Sequence, residues 1–327
     1  VSEAAPAIRV RHLWHRFAGQ DVLRDVTFDV GQGEIFGFIG PNGAGKTTTI
    51  RLMATLLEPM AGRIEIDGID VAMDPGKVRR LIGYMPDHAG VYDRITVREY
   101  LEFFADAFRV ESPEVVDAVL ELTDLEKLQE KLVVTMSKGM KQRLQLARVL
   151  LHDPKILILD EPASDLDPRA RIEIRDLLLE LRGLGKTIFL SSHILTELAD
   201  VCTSVAILEK GRVVVAGPIN EIAGRLSQAQ ARPAEEGVVP AAAQRRVKLR
   251  VLGAAENLGP LLQGASGVLR LEFPSPQTAV VTYAGDDAWL AGMIRHLVVS
   301  GAPIIGVEPE RTELERIFLE ATRGDLQ

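Results

Sequence analysis

One stretch limits what this chain can fold into more than any other: Gly40-Pro41-Asn42-Gly43-Ala44-Gly45-Lys46-Thr47-Thr48. It follows Ile35-Phe36-Gly37-Phe38-Ile39, short and apolar enough for a buried strand. It precedes Thr49-Ile50-Arg51-Leu52-Met53, which reads as helix. A strand, a glycine-rich turn and a helix in that order form a cradle for phosphate. Gly43 and Gly45 lack the Cβ atoms that keep backbone N–H groups away from an anion, and the positive end of the following helix faces the same point. Lys46 supplies a point charge for terminal phosphates, and the Thr47 hydroxyl is placed to ligate Mg²⁺. Asn42, Gly43, Ala44, Gly45, Lys46, Thr47 and Thr48 are therefore the expected phosphate-binding residues.

Composition narrows the partners. Acidic residues outnumber basic ones 46 to 38 in 327 residues, a formal charge of −8, and no run of five or more basic residues occurs, so nucleic acid is not an expected partner. The single cysteine, Cys202, has no internal partner for a disulfide and reads as a small buried thiol in a reducing compartment. Apolar runs such as Ile156-Leu157-Ile158-Leu159 fall far short of the ~20 residues of a membrane span. Val1-Ser2-Glu3-Ala4-Ala5-Pro6 has neither the basic nor the apolar region of a signal peptide. Any membrane process is expected to be served through a partner.

Along the chain, alternation predicts two strands in the first thirty residues, with Ile8, Val10 and Leu13, then Val26, Phe28 and Val30, on one side. Phe17, between them, is either a core aromatic or a platform for a nucleotide base. Strands are expected at Gly62–Gly68 and Leu81–Asp87. From Thr96 the period becomes helical. Thr96-Val97-Arg98-Glu99 is a capping box, and Tyr100, Leu101, Phe103, Phe104 and Phe108 form a broad apolar face behind it. Further helix is expected at Ser112–Leu122 and Lys138–Leu151, so residues 96–150 read as a helical insertion in an α/β domain. Strand returns at Lys155–Glu161 and Thr187–His193, with helix Arg169–Leu181 between them. Uniformly apolar strands alternating with helices indicate a parallel sheet covered on both faces. A hairpin through Glu209-Lys210-Gly211 closes this domain, expected over 1–225.

Residues 226–246 lack periodicity and read as a linker. Beyond them, over 247–327, the order is strand (Val247–Val251), helix (Ala255–Leu262), strand (Val268–Phe273), strand (Thr278–Tyr283), helix (Asp287–Ser300) and strand (Ile304–Val307). This βαββαβ order is that of a ferredoxin-like α+β domain. Trp289, Leu290, Met293, Ile294, Leu297 and Val298 fall on one face of its second helix, and a last capped helix begins at Thr312.

Over residues 8 to about 225 the chain resembles the nucleotide-binding subunits of ABC transporters, which carry five short motifs in fixed order. The resemblance implies the P-loop NTPase fold of ABC ATPase type, with ATP and Mg²⁺ as cofactors. Asp160-Glu161 ends an apolar strand at the sheet edge where open α/β folds bind ligands. The resemblance assigns Asp160 to the metal and Glu161 to the general base. His193 resembles the switch histidine that contacts the γ-phosphate. Thr135-Met136-Ser137-Lys138-Gly139-Met140-Lys141-Gln142-Arg143 stands where the family has its signature, usually Leu-Ser-Gly-Gly-Gln. Ser137, a natural helix N-cap, Gly139 and Met140 would serve the nucleotide of a second subunit, because the family pairs its domains head to tail. Ser164, Asp165 and Asp167 match the loop that crosses that dimer interface, and the same comparison favours Phe17 as the adenine platform.

Lys138 and Met140 depart from the signature, and Asp87 stands where glutamine is usual. Aspartate is shorter and charged. The expectation is that Asp87 still reaches metal and water, with an altered metal dependence. The implied partners are membrane-spanning permease subunits and a second ATP-binding subunit. The implied location is cytoplasmic, peripheral on the inner face of the membrane. The resemblance is nearest to export systems, where a small C-terminal domain after a linker is common. The competing readings are a soluble ABC-type ATPase without transport, disfavoured by the absence of tandem domains, sustained heptads and zinc motifs, and a nucleotide switch that does not hydrolyse.

Overall fold

The computed structural model describes residues 5–87, 90, 92, 94–195, 198, 201–222, 245–262, 265–309 and 317–318. Most of the expected linker, up to residue 244, and the start of the expected last helix at Thr312 lie outside the described residues. The described residues fall into two compact units, one up to Ile219 and one from Asn220 onward.

In the first unit, β1 (Ile8–Phe17) and β2 (Gln20–Val30) pair antiparallel. Ala18 and Gly19 between them both have positive φ, 45° and 84°, as the mirror-image turns of tight hairpins require. The pair joins β4 (Ala61–Ile66) and β5 (Ile69–Asp70) in a sheet of order β2-β1-β4-β5. The second sheet contains β3 (Ile35–Ile39), β6 (Ile82–Met85), β7 (Ile156–Leu159), β8 (Thr187–Ser192), β9 (Ser204–Glu209) and β10 (Arg212–Pro218), in the order β10-β9-β3-β8-β7-β6. All neighbours in it are parallel except the closing β9–β10 hairpin. β3, β7 and β8 are buried along their whole length, which explains their unbroken apolar runs.

The core sits between the two sheets. Phe28 of the first meets Phe36, Phe38 and Phe189 of the second at ring separations of 5.6, 5.4 and 5.9 Å, within the range of favourable aromatic pairs. Helix α1 (Lys46–Met53) buries Ile50, Leu52 and Met53 in the same cluster. Because β3, β7 and β8 run parallel, with Ile39 opposite Ser192 and Leu159 opposite Leu190, their C-terminal ends open onto one edge. There the chain places Gly40, Asp160 and His193.

Helix α2 (Pro75–Leu81) was not expected as a separate element. Asp74 caps it by accepting the Lys77 N–H at 3.0 Å, with Pro75 at its first position. The helical block comprises α3 (Val97–Phe108), α4 (Glu114–Leu122) and α5 (Lys138–Leu150). The Thr96 capping box is present. Gln145 Nε2 donates to the Tyr100 hydroxyl at 3.1 Å, and the buried Arg143 guanidinium lies 3.0 Å from Asp124, just past the end of α4, so α5 is tied to α3 and to the segment that follows α4. The apolar face of α3 is narrower than expected. Tyr100 and Leu101 are buried, but Phe103 and Phe108 stay 50% and 42% exposed, since α4 and α5 cover only one side of the stripe. Helix α6 (Pro168–Gly183) bridges β7 and β8.

The second unit contains β11 (Arg245–Val251), β12 (Val268–Ser275), β13 (Thr278–Tyr283) and β14 (Ile304–Pro309) in an antiparallel sheet of order β12-β13-β11-β14. This is the ferredoxin-like arrangement. β11 starts at Arg245, before the expected Val247. The first helix shrinks to a 3-10 turn, Ala255–Leu258, followed by the single turn α7 (Gly259–Leu262). Pro260 has no N–H to bond the carbonyl of Glu256, so a continuous helix cannot form. Helix α8 (Asp287–Val299) buries Met293 and Leu297, while Val298, expected on the same apolar face, is 55% exposed. Trp289 stacks on Tyr283 with ring centroids 4.8 Å apart and donates Nε1–H to the Ser266 carbonyl at 3.0 Å.

Candidate nucleotide site

The glycine-rich loop is built as the residues demand. Gly43 and Gly45 have φ of 81° and 111°, the left-handed region in which a Cβ is strained. At Gly45 a Cβ would also come within 2.6 Å of Leu23 Cδ2. Behind the loop stands the β9–β10 turn, which sequence reading did not connect to it. Gly211 N–H donates to the Ala44 carbonyl at 3.0 Å, and a Cβ on Gly40 would sit 2.4 Å from the Leu208 carbonyl oxygen. The loop is thus clamped from behind, and within it the Ala44 N–H donates to the Pro41 carbonyl at 3.1 Å.

Lys46 is 6% exposed. Its ammonium donates to the Gly40 carbonyl at 2.7 Å and lies 3.3 Å from Glu161 Oε1. The other oxygen, Glu161 Oε2, is 2.9 Å from His193 Nδ1. Glu161 itself has φ 52°, a left-handed conformation that costs a non-glycine residue about 1–2 kcal/mol and turns its side chain off the line of β7 toward Lys46. Asp160, 1% exposed, accepts the Ser191 hydroxyl at 2.6 Å. Burial pushes its carboxyl above the ordinary range, opposed by hydrogen bonds from Ser191 and Thr47, with the charges of Asp87 and Glu161 raising it further.

These groups surround a cavity of about 520 Å³. Asn42, Gly43, Gly45, Lys46, Thr47 and Thr48 line one side, Asp87, Glu161 and His193 another, and Ser164 and Asp165 its rim. Asp160 and Ala44 lie buried beneath it. A smaller cavity of about 310 Å³ between α6 and β8 has mainly aliphatic walls, including Ile174, Leu178 and Leu190. Its lining includes no carboxylate, and the larger cavity, which has the glycine-rich loop in its wall, is the candidate nucleotide site.

Five predicted residues are not brought to this cavity. Phe17, 45% exposed at the end of β1, meets the His15 ring edge-on at 4.6 Å. Ser137 caps α5, its hydroxyl accepting the Met140 N–H at 3.3 Å, and Gly139 sits on the first turn of that helix with Met140. Asp167 caps α6, accepting the Ala170 N–H at 2.9 Å.

A family profile described as ABC transporter matches residues 23–164. The bacitracin transport ATP-binding protein BcrA of Bacillus licheniformis is 39% identical over 219 residues, 67% of this chain and 72% of its own length. The daunorubicin resistance ATP-binding protein DrrA3 of Streptomyces coeruleorubidus is 33% identical over 325 residues, 98% of each chain. The chain belongs to the ABC transporter ATP-binding proteins.

Among solved structures, cbiO1 of Clostridium perfringens, described as part of the ABC transporter complex cbiONQ, superposes with a TM-score of 0.61 at 30% identity over 70% of this chain and 96% of that one. As an ABC ATP-binding protein the chain is a nucleotide-binding ATPase of the transport-coupled class. Among its described residues no helix is long and apolar enough to cross a membrane.

The departures from the ABC signature acquire a setting here. Lys138 Nζ lies 3.0 Å from Asp165, and Gln142 Nε2 donates to the Pro162 carbonyl at 2.8 Å. A Cβ on Gly139 would meet the Ala170 Cβ at 2.7 Å, so this glycine also lets α5 approach α6. The start of α5 is therefore fastened to the loop that follows Glu161. Ser191 and Gln142 were not singled out from the sequence, because each acts through a residue distant in the chain.

Proposed function

We propose that this protein powers transport, in the export direction, through separate membrane-spanning subunits by ATP-driven head-to-tail pairing of two copies. The observation that carries the reading is the convergence of Lys46, Glu161 and His193 on one cavity walled by the glycine-rich loop. The similarity to BcrA, a bacitracin transport protein, and DrrA3, a daunorubicin resistance protein, supports the export direction.

In this reading the loop N–H groups and Lys46 bind the phosphates, and Phe17 stacks on adenine from its exposed position. When phosphate takes the Lys46 ammonium, Glu161 is released to act as base. It accepts a proton from water as the water oxygen bonds the γ-phosphorus and the bond to the ADP oxygen breaks. His193 keeps Glu161 and that water aligned. Placed charges supply most of the stabilisation in such phosphoryl transfers.

Mg²⁺ fits the donors present. The Thr47 hydroxyl and the Asp160 carboxylate are hard oxygen donors, and Mg²⁺ is an ion that takes one or two protein oxygens and completes its shell with phosphate and water. Thr47 and Asp160 would hold it, with Asp87 within reach, and once bound it would neutralise phosphate charge. The extra carboxylate at Asp87 is expected to shift the Mg²⁺ requirement. An unchanged Mg²⁺ midpoint and rate in Asp87→Gln would remove that idea.

Ser137, Gly139 and Met140 would meet the nucleotide of the second copy, with Ser164, Asp165 and Asp167 at the interface between copies. The exposed rings of Tyr92, Phe103 and Phe108 form one aromatic patch with Phe104, Tyr92 meeting Phe103 at 5.5 Å. This is the surface proposed to press on a permease subunit, and the same reading has the protein peripheral on the inner face of the membrane. The second unit is proposed to aid pairing or regulation. Truncation after residue 225 that leaves assembly and turnover intact would oppose this.

The test is ATP turnover and oligomeric state of the parent and Glu161→Gln with ATP and Mg²⁺. The parent is expected to turn over, and the variant to stop and collect as an ATP-dependent dimer. Turnover in the variant at the parental rate would overturn the reading.

A further inference from the structure

Both carboxylates of the site lean on one hydroxyl. Ser191, fully buried near the end of β8, donates its O–H to Asp160 Oδ1 at 2.6 Å and accepts the backbone N–H of Glu161 at 3.0 Å. We propose that Ser191 is the positioning residue that sets Asp160 and Glu161 together, holding one by its side chain and the other by its backbone. The inference rests on the roles proposed above for those two residues.

The geometry follows from register. Leu159 faces Leu190 across the β7–β8 ladder, so the next step along both strands brings Asp160 beside Ser191. β7 has ended there, and no strand partner remains for the Glu161 N–H. A buried N–H without an acceptor is costly, and Ser191 Oγ supplies the acceptor. A hydroxyl has a single proton. Once that proton is committed to Asp160, the lone pairs face Glu161, and the three groups orient one another.

Two consequences follow. Asp160 is held through Oδ1 by Ser191, and its carboxylate also takes a hydrogen bond from Thr47. Glu161 is held at φ 52°, the turn that sends its side chain to Lys46 and His193. Two residues further along the same strand direction, His193 Nδ1 meets Glu161 Oε2 at 2.9 Å. The end of β8 therefore grips Glu161 at both backbone and carboxylate. Ser191 is not placed to touch nucleotide. It lies beneath the cavity and is not among the residues lining it.

The experiment compares the parent with Ser191→Ala, Ser191→Thr and Glu161→Gln in the full chain. It measures turnover against ATP and Mg²⁺, binding of a fluorescent ATP analogue with EDTA and with Mg²⁺, and Tm. Ser191→Ala is expected to lower kcat about 10- to 100-fold, the scale of a displaced reacting group. It should also raise the Mg²⁺ midpoint of the fluorescence change, while affinity for the analogue in EDTA stays parental. Ser191→Thr, which keeps the hydroxyl, is expected to recover most of the rate. A parental kcat and Mg²⁺ midpoint in Ser191→Ala would overturn the proposal. So would a fall in EDTA-measured affinity that matches the loss of kcat, since that marks general damage to the fold. Glu161→Gln separates the two failures. If it turns over, the assignment of Glu161 falls and this proposal with it; if it does not while Ser191→Ala is parental, only this proposal falls.

Discussion

The two units of this chain treat charge in opposite ways. In the first, Lys46, Asp160, Glu161 and Arg143 are all below 10% exposed, and each is held by named partners at the end of a strand or between helices. In the second, the buried polar residues among those described are Thr278 and Thr282. Its charges stand outside as pairs, such as Arg250–Glu308 at 3.2 Å with both side chains half-exposed. Burying a charge is expensive unless it is paired and hydrogen-bonded. A fold that does so at one sheet edge has concentrated its chemistry there. The second unit, by contrast, is held by apolar packing around Leu249, Val281 and Leu297.

The sharpest way to break that contrast is to remove one buried charge. Glu161→Gln is expected to lower kcat by about 10²- to 10⁴-fold, the usual worth of a general base, measured by steady-state phosphate release. Next comes packing in the second unit. A Cβ on Gly285 would lie 2.7 Å from the Trp289 ring, so Gly285→Ala is expected to cost about 1–3 kcal/mol. Calorimetry should show this as a lowered transition while turnover holds, and a matching loss of turnover would erase the distinction between the units.

A smaller effect belongs to Cys202. Burial pushes its thiol far above the ordinary range, so the folded chain favours the protonated form. Its contribution to stability is complete below the unfolded thiol pKa of about 8.5 and falls as pH rises past it, by about 1 kcal/mol at pH 9.5. Iodoacetamide should spare the native thiol at pH 7 and label it in urea; rapid native labelling would contradict the burial. The least expected change is in Arg250→Ala, at most about 0.2–1 kcal/mol for an exposed pair. A larger Tm shift would mean that charge carries the second unit after all.

Much of this was legible from local pattern. The loop at Gly40, the capping box at Thr96, the buried strands and the βαββαβ order each announce themselves over a few neighbouring residues. What escaped depends on what comes to lie opposite. An apolar stripe does not say how much of it will be covered, so the exposure of Phe103, Phe108 and Val298 is not readable from it. Helix α2 escaped because it is short and polar, although Asp74-Pro75 was a fair start signal. Pro260 should have argued against a continuous helix. The site itself was legible as a set of residue types, but not as a geometry. Nothing near Glu161 in sequence announces its left-handed backbone, and the hydroxyl that supports it lies on another strand.

The contact between Lys46 and Glu161, 3.3 Å apart, has a consequence for which anions the site admits. A cation already satisfied by an internal carboxylate and by the Gly40 carbonyl sets a threshold for entry. Any incoming anion must displace a tethered competitor present at high effective concentration. Inorganic phosphate brings one small cluster of oxygens to that contest. A triphosphate engages the whole loop at once and recovers along its length what it spends in prising the lysine loose. A triphosphate that engages the whole loop is therefore expected to bind more tightly than a single phosphate or sulfate, which displacement of a fluorescent ATP analogue by each anion would check.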